Sequence, residues 1–289
     1  MRIGVVFPQT EIGSDPAVVR DYAQLAEELG FSHILAYDHV IGANLASRPG
    51  WKPPYSHLDS FHEPLVLFGY LAGLTKRIEF ATGIVILPQR QTVLVAKQAA
   101  AVDVLSGGRL RFGIGIGWNP VEYEALGENF KNRGSRSEEQ VEVLRRLWSQ
   151  ELVTFEGRWH KITDAGINPL PVQRPIPIWF GGTDDRALRR LAKLGDGWFP
   201  LMNADENCRA AIEKVHAYAR EAGRDPNRIG IEGRISHSQN SEEVWRKELE
   251  AWKNVGATHA SFNTMKAGLN SPRAHLDAIR RFAKVAAGV

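Results

Sequence analysis

Asp38–His39 is the adjacent pair in this chain with the most acid–base potential. Histidine titrates near neutrality and can pass a proton at working pH, and a nearby carboxylate can orient or tune it. The plainer alternative is a capping Asp38 beside an incidental His39. Gly181–Gly182–Thr183 has a different potential, because free N–H groups at a helix start can hold an anion, with phosphate the natural class. Its alternative is a tight strand-to-helix turn capped by Thr183. Gly113–Ile114–Gly115–Ile116–Gly117–Trp118 is only superficially a dinucleotide fingerprint: Trp118 stands where the third glycine is required, and no Rossmann unit opens the chain. These glycines would instead let a flat ligand or a packed backbone approach a strand end, with Trp118 as a stacking wall or a core residue. Asp38, His39, His57, Asp59, His62 and Glu63 lie close in sequence but match no metal-ligand spacing, so a metal hydrolase is the weakest reading.

Such residues need a frame, and strand-like and helix-like segments alternate along the chain to supply one. The expected strands are Arg2–Phe7, His33–Tyr37, Ile78–Leu87, Arg109–Ile116, Ile176–Phe180, Gly197–Leu201, Ile229–Ile235 and His259–Phe262. The helices between and after them are expected over Ala17–Leu29, Phe61–Leu74, Thr92–Leu105, Pro120–Leu126 with Ser135–Trp148, Asp184–Leu194, Glu206–Ala222, Ser241–Val255 and Ala274–Ala286. Each helix returns the chain to the same end, which demands a parallel sheet, and eight units favour a closed (β/α)8 barrel over an open sheet. Several strands are apolar on consecutive residues, as burial on both faces requires. Two stretches interrupt the alternation: Ile41–Ser60 after strand 2, and Glu151–Pro175 before strand 5, where FEGRWHKI predicts a hairpin. Residues 1–289 are expected to form one domain. In such a barrel the active site lies at the carboxyl ends of the strands, which here are polar and glycine-rich.

Composition excludes several classes. Among 289 residues, 36 Lys and Arg nearly balance 33 Asp and Glu, and the basic residues form no aromatic-laced stripe, which argues against nucleic acid as a partner. No apolar run approaches a bilayer span, and the N-terminal run ends at Pro8, too early for a signal peptide. The single cysteine, Cys208, cannot make an internal disulfide, and no motif around it suggests a nucleophile. A cytoplasmic protein acting on a small molecule is the expectation.

Two long runs carry a family likeness: TKRIEFATGIVILPQRQTVLVAKQAAAVDVLSGGRLRFGIGIGWNPVEYEALG (residues 75–127) and RPIPIWFGGTDDRALRRLAKLGDGWFP (residues 174–200). With ELGF and YDHV near the start, they resemble the bacterial luciferase-like oxidoreductases over essentially the whole chain, and most closely the branch that uses the deazaflavin F420. The resemblance implies a luciferase-like TIM barrel, a homodimer, and F420 as cofactor, with FMN as the alternative. It implies that His39, beside Asp38, gives or takes a proton while hydride moves to or from the deazaflavin. It places Asp38, Thr82, Gly83, Ile84, Gly117, Trp118, Gly181, Gly182 and Thr183 at the cofactor, with a cis Gly83–Ile84 bond behind the ring and Gly181–Thr183 at the phosphate. Sugar-phosphate-oxidising members carry a catalytic Glu where this chain has Trp118, so such substrates are disfavoured. A more hydrophobic substrate fits Trp51, Pro53, Pro54 and Tyr55 in the loop after strand 2. An FMN-dependent monooxygenase and a non-catalytic flavin- or deazaflavin-binding barrel are the alternative functions.

Overall fold

In the computed structural model, which describes residues 1–237 and 241–288, the alternation closes on itself. Strands β1 (Arg2–Val6), β2 (His33–Ala36) and β3 (Glu79–Thr82) are followed by a short β4 (Val85–Ile86) and by β5 (Leu110–Gly115). After an excursion come β8 (Ile178–Gly181), β9 (Gly197–Phe199), β10 (Gly230–Ser236) and β11 (His259–Asn263). All neighbouring pairs in this set are parallel, and β11 pairs with both β10 and β1, with Glu232 and Arg2 each opposite His259. The sequence marks this last strand more weakly than the others, yet it closes the barrel.

Helix starts follow local chemistry. Asp15 accepts from the Ala17 N–H ahead of Pro16 and opens α1 (Pro16–Glu28), the cap-then-proline arrangement that satisfies an orphan donor where proline's missing N–H costs nothing. Glu63 and Pro64 do the same for α2 (Pro64–Ala72), so the helix expected from Phe61 begins three residues later. Phe61 and His62 remain non-helical and reach toward the strand ends. Helices α3 (Thr92–Ser106), α4 (Pro120–Ala125), α5 (Arg133–Ser149), α6 (Asp185–Leu194), α7 (Glu206–Glu221), α8 (Glu242–Asn254) and α9 (Pro272–Ala286) complete the set. The predicted hairpin is present as antiparallel β6 (Val153–Glu156) and β7 (Lys161–Ala165). Glu139 on α5 ties it down by accepting the N–H groups of Arg158, Trp159 and His160.

The strands divide their side chains between two cores, because successive residues face opposite sides of a sheet. Val5, Ile34, Phe80, Phe180 and Trp198 join the large core between strands and helices. Their neighbours Val6, Leu35, Ala81, Trp179 and Phe199 form a separate cluster, as side chains filling a barrel interior would. Burial on both sides explains the unbroken apolar runs in the sequence. Below that apolar layer the interior is charged: Glu232 pairs with both Arg111 and His33. Gly4 makes room for the His33 ring, since a Cβ there would lie 2.4 Å from it.

Candidate active site

The expected third strand does not run through. Ala81 pairs with Arg111 and Val85 with Ile114, so β3–β4 spends one residue more than β5 over the same stretch. This is a bulge, and within it the Gly83–Ile84 peptide is cis. Two sequence-predicted site residues fix the bulge. Thr82 is fully buried and donates its hydroxyl to the Gly113 carbonyl at 2.7 Å, so it stitches β3 to β5 and does not face the cavity. Asp38 accepts from the Ile86 N–H at 3.0 Å with one oxygen and from Arg90 at 2.8 Å with the other. Arg90 also reaches Glu63 at 2.8 Å.

The carboxylate that orients His39 is therefore not its neighbour Asp38. Glu122, on α4, accepts from His39 Nδ1 at 3.0 Å, from the Val40 N–H at 3.2 Å, and from Gln89 at 3.2 Å. A carboxylate that already accepts from Val40 and Gln89 accepts from the ring as well, so the Nδ1 proton points at Glu122 and Nε2 is the nitrogen left for another partner. No group bonds Nε2 among the described residues, and the ring lines the mouth cavity. Aromatic rings hold it on three sides, Phe61 at 4.7 Å, Tyr55 at 4.9 Å and Trp118 at 5.7 Å between centroids, with Trp51 6.2 Å beyond Trp118.

The cavity at the carboxyl ends of the strands measures about 480 Å³, within the usual span for small-ligand and cofactor sites. It brings together Asp38, His39, Gly83, Ile84, Gly117, Trp118, Gly181 and Gly182 from the sequence-based set. Tyr37 and Arg234 also line it. The glycines around it serve two purposes. A Cβ on Gly113 would overlap the Thr82 carbonyl at 1.9 Å and one on Gly115 would meet Ile84 at 2.3 Å, so both admit packed neighbours, and Gly115 lines the cavity as well. Gly117 and Gly182, with φ of +66° and +115°, turn the backbone at the rim in conformations that side chains rarely adopt.

Thr183 lies outside the cavity lining and is exposed. It is not the cap of α6 either. Asp184 is, accepting from the Arg186 and Ala187 N–H groups at 3.0 and 3.1 Å, and it thereby occupies donors that an anion would otherwise use. The acidic and histidine-rich stretch after β2 is likewise divided among local tasks. Asp59 accepts from Ser56, Glu63 caps α2, and His57 lies 3.3 Å from the Ala43 carbonyl. Cys208 is buried, and burial raises its thiol pKa to about 11, which leaves it an inert core residue.

Sequence reasoning missed Glu122, Arg90, Phe61, Tyr37 and Arg234. Glu122 could have been suspected only as an acid in the first turn of a helix behind Asn119–Pro120, which is also the ordinary place for a helix-stabilising Glu.

The sequence profile of the luciferase-like monooxygenase family matches residues 1–287. An uncharacterized protein of Mycobacterium tuberculosis (strain ATCC 25618 / H37Rv) is 32% identical over 223 residues, covering 75% of this chain and 77% of that protein. The FMNH(2)-dependent dimethylsulfone monooxygenase of Pseudomonas putida is 29% identical, over 78% of this chain but 59% of its own length. Among solved structures, a monooxygenase from Streptomyces bottropensis superposes with a TM-score of 0.80 at 20% identity, covering 98% of each chain. An F420-dependent secondary alcohol dehydrogenase in complex with an F420-acetone adduct gives 0.79 at 20% identity, over 98% of this chain and 97% of that one. At those identities the likeness shows the shared barrel fold.

Proposed function

This chain belongs to the luciferase-like monooxygenase family, and we propose that it is an oxidoreductase moving a hydride between the deazaflavin F420 and a small, largely apolar organic substrate. The observation that carries the reading is His39, held by Glu122 through Nδ1 while its ring lines the cavity with Nε2 unbonded among the described residues. A base in that position takes the hydroxyl proton of a substrate as hydride leaves its carbon, and returns it in the reverse direction. When bound, the deazaflavin supplies the hydride acceptor or donor.

The residues present suit a flat tricyclic group. The Gly83–Ile84 segment backs the cavity, Gly117 and Trp118 border it, and Gly181–Gly182 lie at its far rim where a phosphate-bearing tail would leave. Asp38 and Thr82 serve that group indirectly, by fixing the bulge. Trp51, Tyr55 and Trp118 give the substrate an apolar, water-excluding wall, and Trp118 offers no carboxyl group for a second proton transfer. Exposed Val66 and Tyr70 on α2, with Val93, Leu94 and Leu105 on the adjoining α3, support pairing with a second copy.

An FMN-dependent monooxygenase is the second reading, favoured by the FMNH(2)-dependent relative described above. Titration of the purified protein with F420 and with FMN separates the two. Tighter binding of F420, by about tenfold or more (about 1.4 kcal/mol), with oxygen-independent turnover of an alcohol panel, is the expected result. Preference for FMN with oxygen-dependent turnover would replace the first reading by the second.

A further inference from the structure

We propose that Arg234 and Tyr37 form an anion-binding subsite at the floor of the mouth cavity, which takes a carboxylate or similar anionic group of the substrate. The proposal rests on the reading of this cavity as an oxidoreductase's substrate pocket, and it narrows the substrate class to apolar or aromatic acids.

The argument begins with charge. The acidic groups around the cavity already have partners: Asp38 has Arg90, Glu122 has His39 and Gln89, and Glu232 has Arg111 and His33. Lys266, above the Tyr55 ring, donates to the Pro54 carbonyl at 2.7 Å. Arg234 is different. It stands on β10 two residues beyond Glu232, on the same side of the strand, and its guanidinium lies 5.5 Å over the Tyr37 ring. It is exposed within the mouth, and among the described residues it has neither an ion pair nor a side-chain hydrogen bond. Its backbone is fixed from outside the barrel, where Trp252 donates to the Arg234 carbonyl at 3.1 Å.

Beneath the main cavity lies a smaller one of about 80 Å³, and both are lined by Tyr37, Gly83, Ile84, Gly181, Leu201 and Arg234. The smaller space therefore continues the floor of the larger. The Tyr37 hydroxyl is buried and has no hydrogen-bond partner among the described residues, a state that native structures rarely leave uncompensated. Burial pushes its pKa up, so the phenol remains a donor. An unpaired guanidinium and an unpaired hydroxyl at one small cavity make a donor set matched to a planar oxyanion, which arginine can bind through two parallel N–H groups. The aromatic residues at the rim then hold the apolar remainder of the same molecule.

The test uses benzoate and its neutral counterpart benzyl alcohol as probes, titrated calorimetrically into the cofactor-free protein. The wild type should bind benzoate more tightly than benzyl alcohol, with an advantage that shrinks as salt is added. Arg234→Gln should weaken benzoate about tenfold and leave benzyl alcohol, FMN and F420 within about twofold. Arg234→Lys should recover part of the loss, and Tyr37→Phe should weaken benzoate by about threefold. Equal binding of the two probes by the wild type would overturn the proposal. So would an Arg234→Gln protein that loses FMN or F420 at least as strongly as benzoate, because the arginine would then serve the cofactor. The arms are separable: if neither cofactor binds, the oxidoreductase reading fails while the benzoate comparison still reports on Arg234.

Discussion

Two histidine–glutamate pairs within the barrel have nearly equal lengths, His39–Glu122 at 3.0 Å and His33–Glu232 at 2.9 Å. Their surroundings give them different work. At the mouth, the His39 side chain is 11% exposed and, among the described residues, only Nδ1 is bonded. In the interior, the His33 side chain is 0% exposed and both nitrogens are engaged, Nδ1 with Ser32 and Nε2 with Glu232 and Ser261. Arg111, flanked by Trp179 and Phe199, pairs with the second Glu232 oxygen. Burial alone would raise the Glu232 pKa, but Arg111 and the His33 hydrogen bond outweigh it and hold the carboxyl well below the usual range. Burial pushes His33 down, toward the neutral form. A histidine–glutamate pair can serve proton transfer only where one ring nitrogen remains open to a ligand, and of these two pairs only the one at the mouth meets that condition. Where every position is filled, the same pair is a structural plug.

That contrast can be broken by experiment. The largest effect belongs to His39→Ala, which should lower turnover by about 10²–10⁴-fold, the usual worth of a general acid–base group, while leaving the melting temperature close to wild type. Steady-state kinetics with thermal unfolding checks both halves, and unchanged turnover would remove His39 from the chemistry. Arg111→Met should act the opposite way, costing about 3–5 kcal/mol of stability because it strands the buried Glu232 charge. Denaturant unfolding measures this, and a loss below about 1 kcal/mol would show that the interior cluster does not behave as a buried ion pair.

Glu122→Gln should have a smaller effect, about tenfold on turnover (roughly 1.4 kcal/mol) with cofactor binding retained, because the amide can still face Nδ1 but lacks the charge. Loss of cofactor binding with turnover per bound cofactor unchanged would make Glu122 a wall of the site and not a partner of His39.

The smallest effect concerns pH. Burial first, then Arg111, lowers His259 to about 3, and burial lowers His275 to about 4. Both folded values lie below the ordinary histidine value of about 6.5, so unfolding takes up protons and stability falls as pH drops from about 6.5 toward 4. Melting curves at pH 7 and pH 5 should differ in that sense, and His259→Asn should narrow the gap. An equal gap in the variant would assign the acid sensitivity elsewhere.

The parts of this molecule that were legible in the sequence are those governed by local rules. Apolar runs marked the strands, Pro16 and Pro120 lie where helices begin, and FEGRWHKI marked the hairpin. His39 and the Gly83–Ile84 segment could be placed because both stand at strand ends, where a barrel exposes its residues. Asp38 was legible as a strand-end residue at the cavity but not in its contacts, since adjacency in sequence suggested a partnership with His39 while the carboxylate instead holds Ile86 and Arg90. Thr183 misled for a related reason: it stands beside the helix start, and the next residue, Asp184, has the better capping oxygen.

What the sequence determined by itself was the order and kind of the elements, because capping, chirality and apolar periodicity act over a few residues, and eight strand–helix units leave a closed barrel as the compact solution. What only the tertiary structure decided was pairing across the barrel. Glu122 reaches His39 across 83 residues and Glu232 reaches His33 across 199. Tyr37, just past the end of β2, and Arg234 on β10 meet only because ring closure brings the two strands to one cavity. No local propensity encodes such meetings. They follow from the closure and register of the strands, and these determine which of two similar histidine–glutamate pairs opens onto the mouth cavity and which is sealed in the interior.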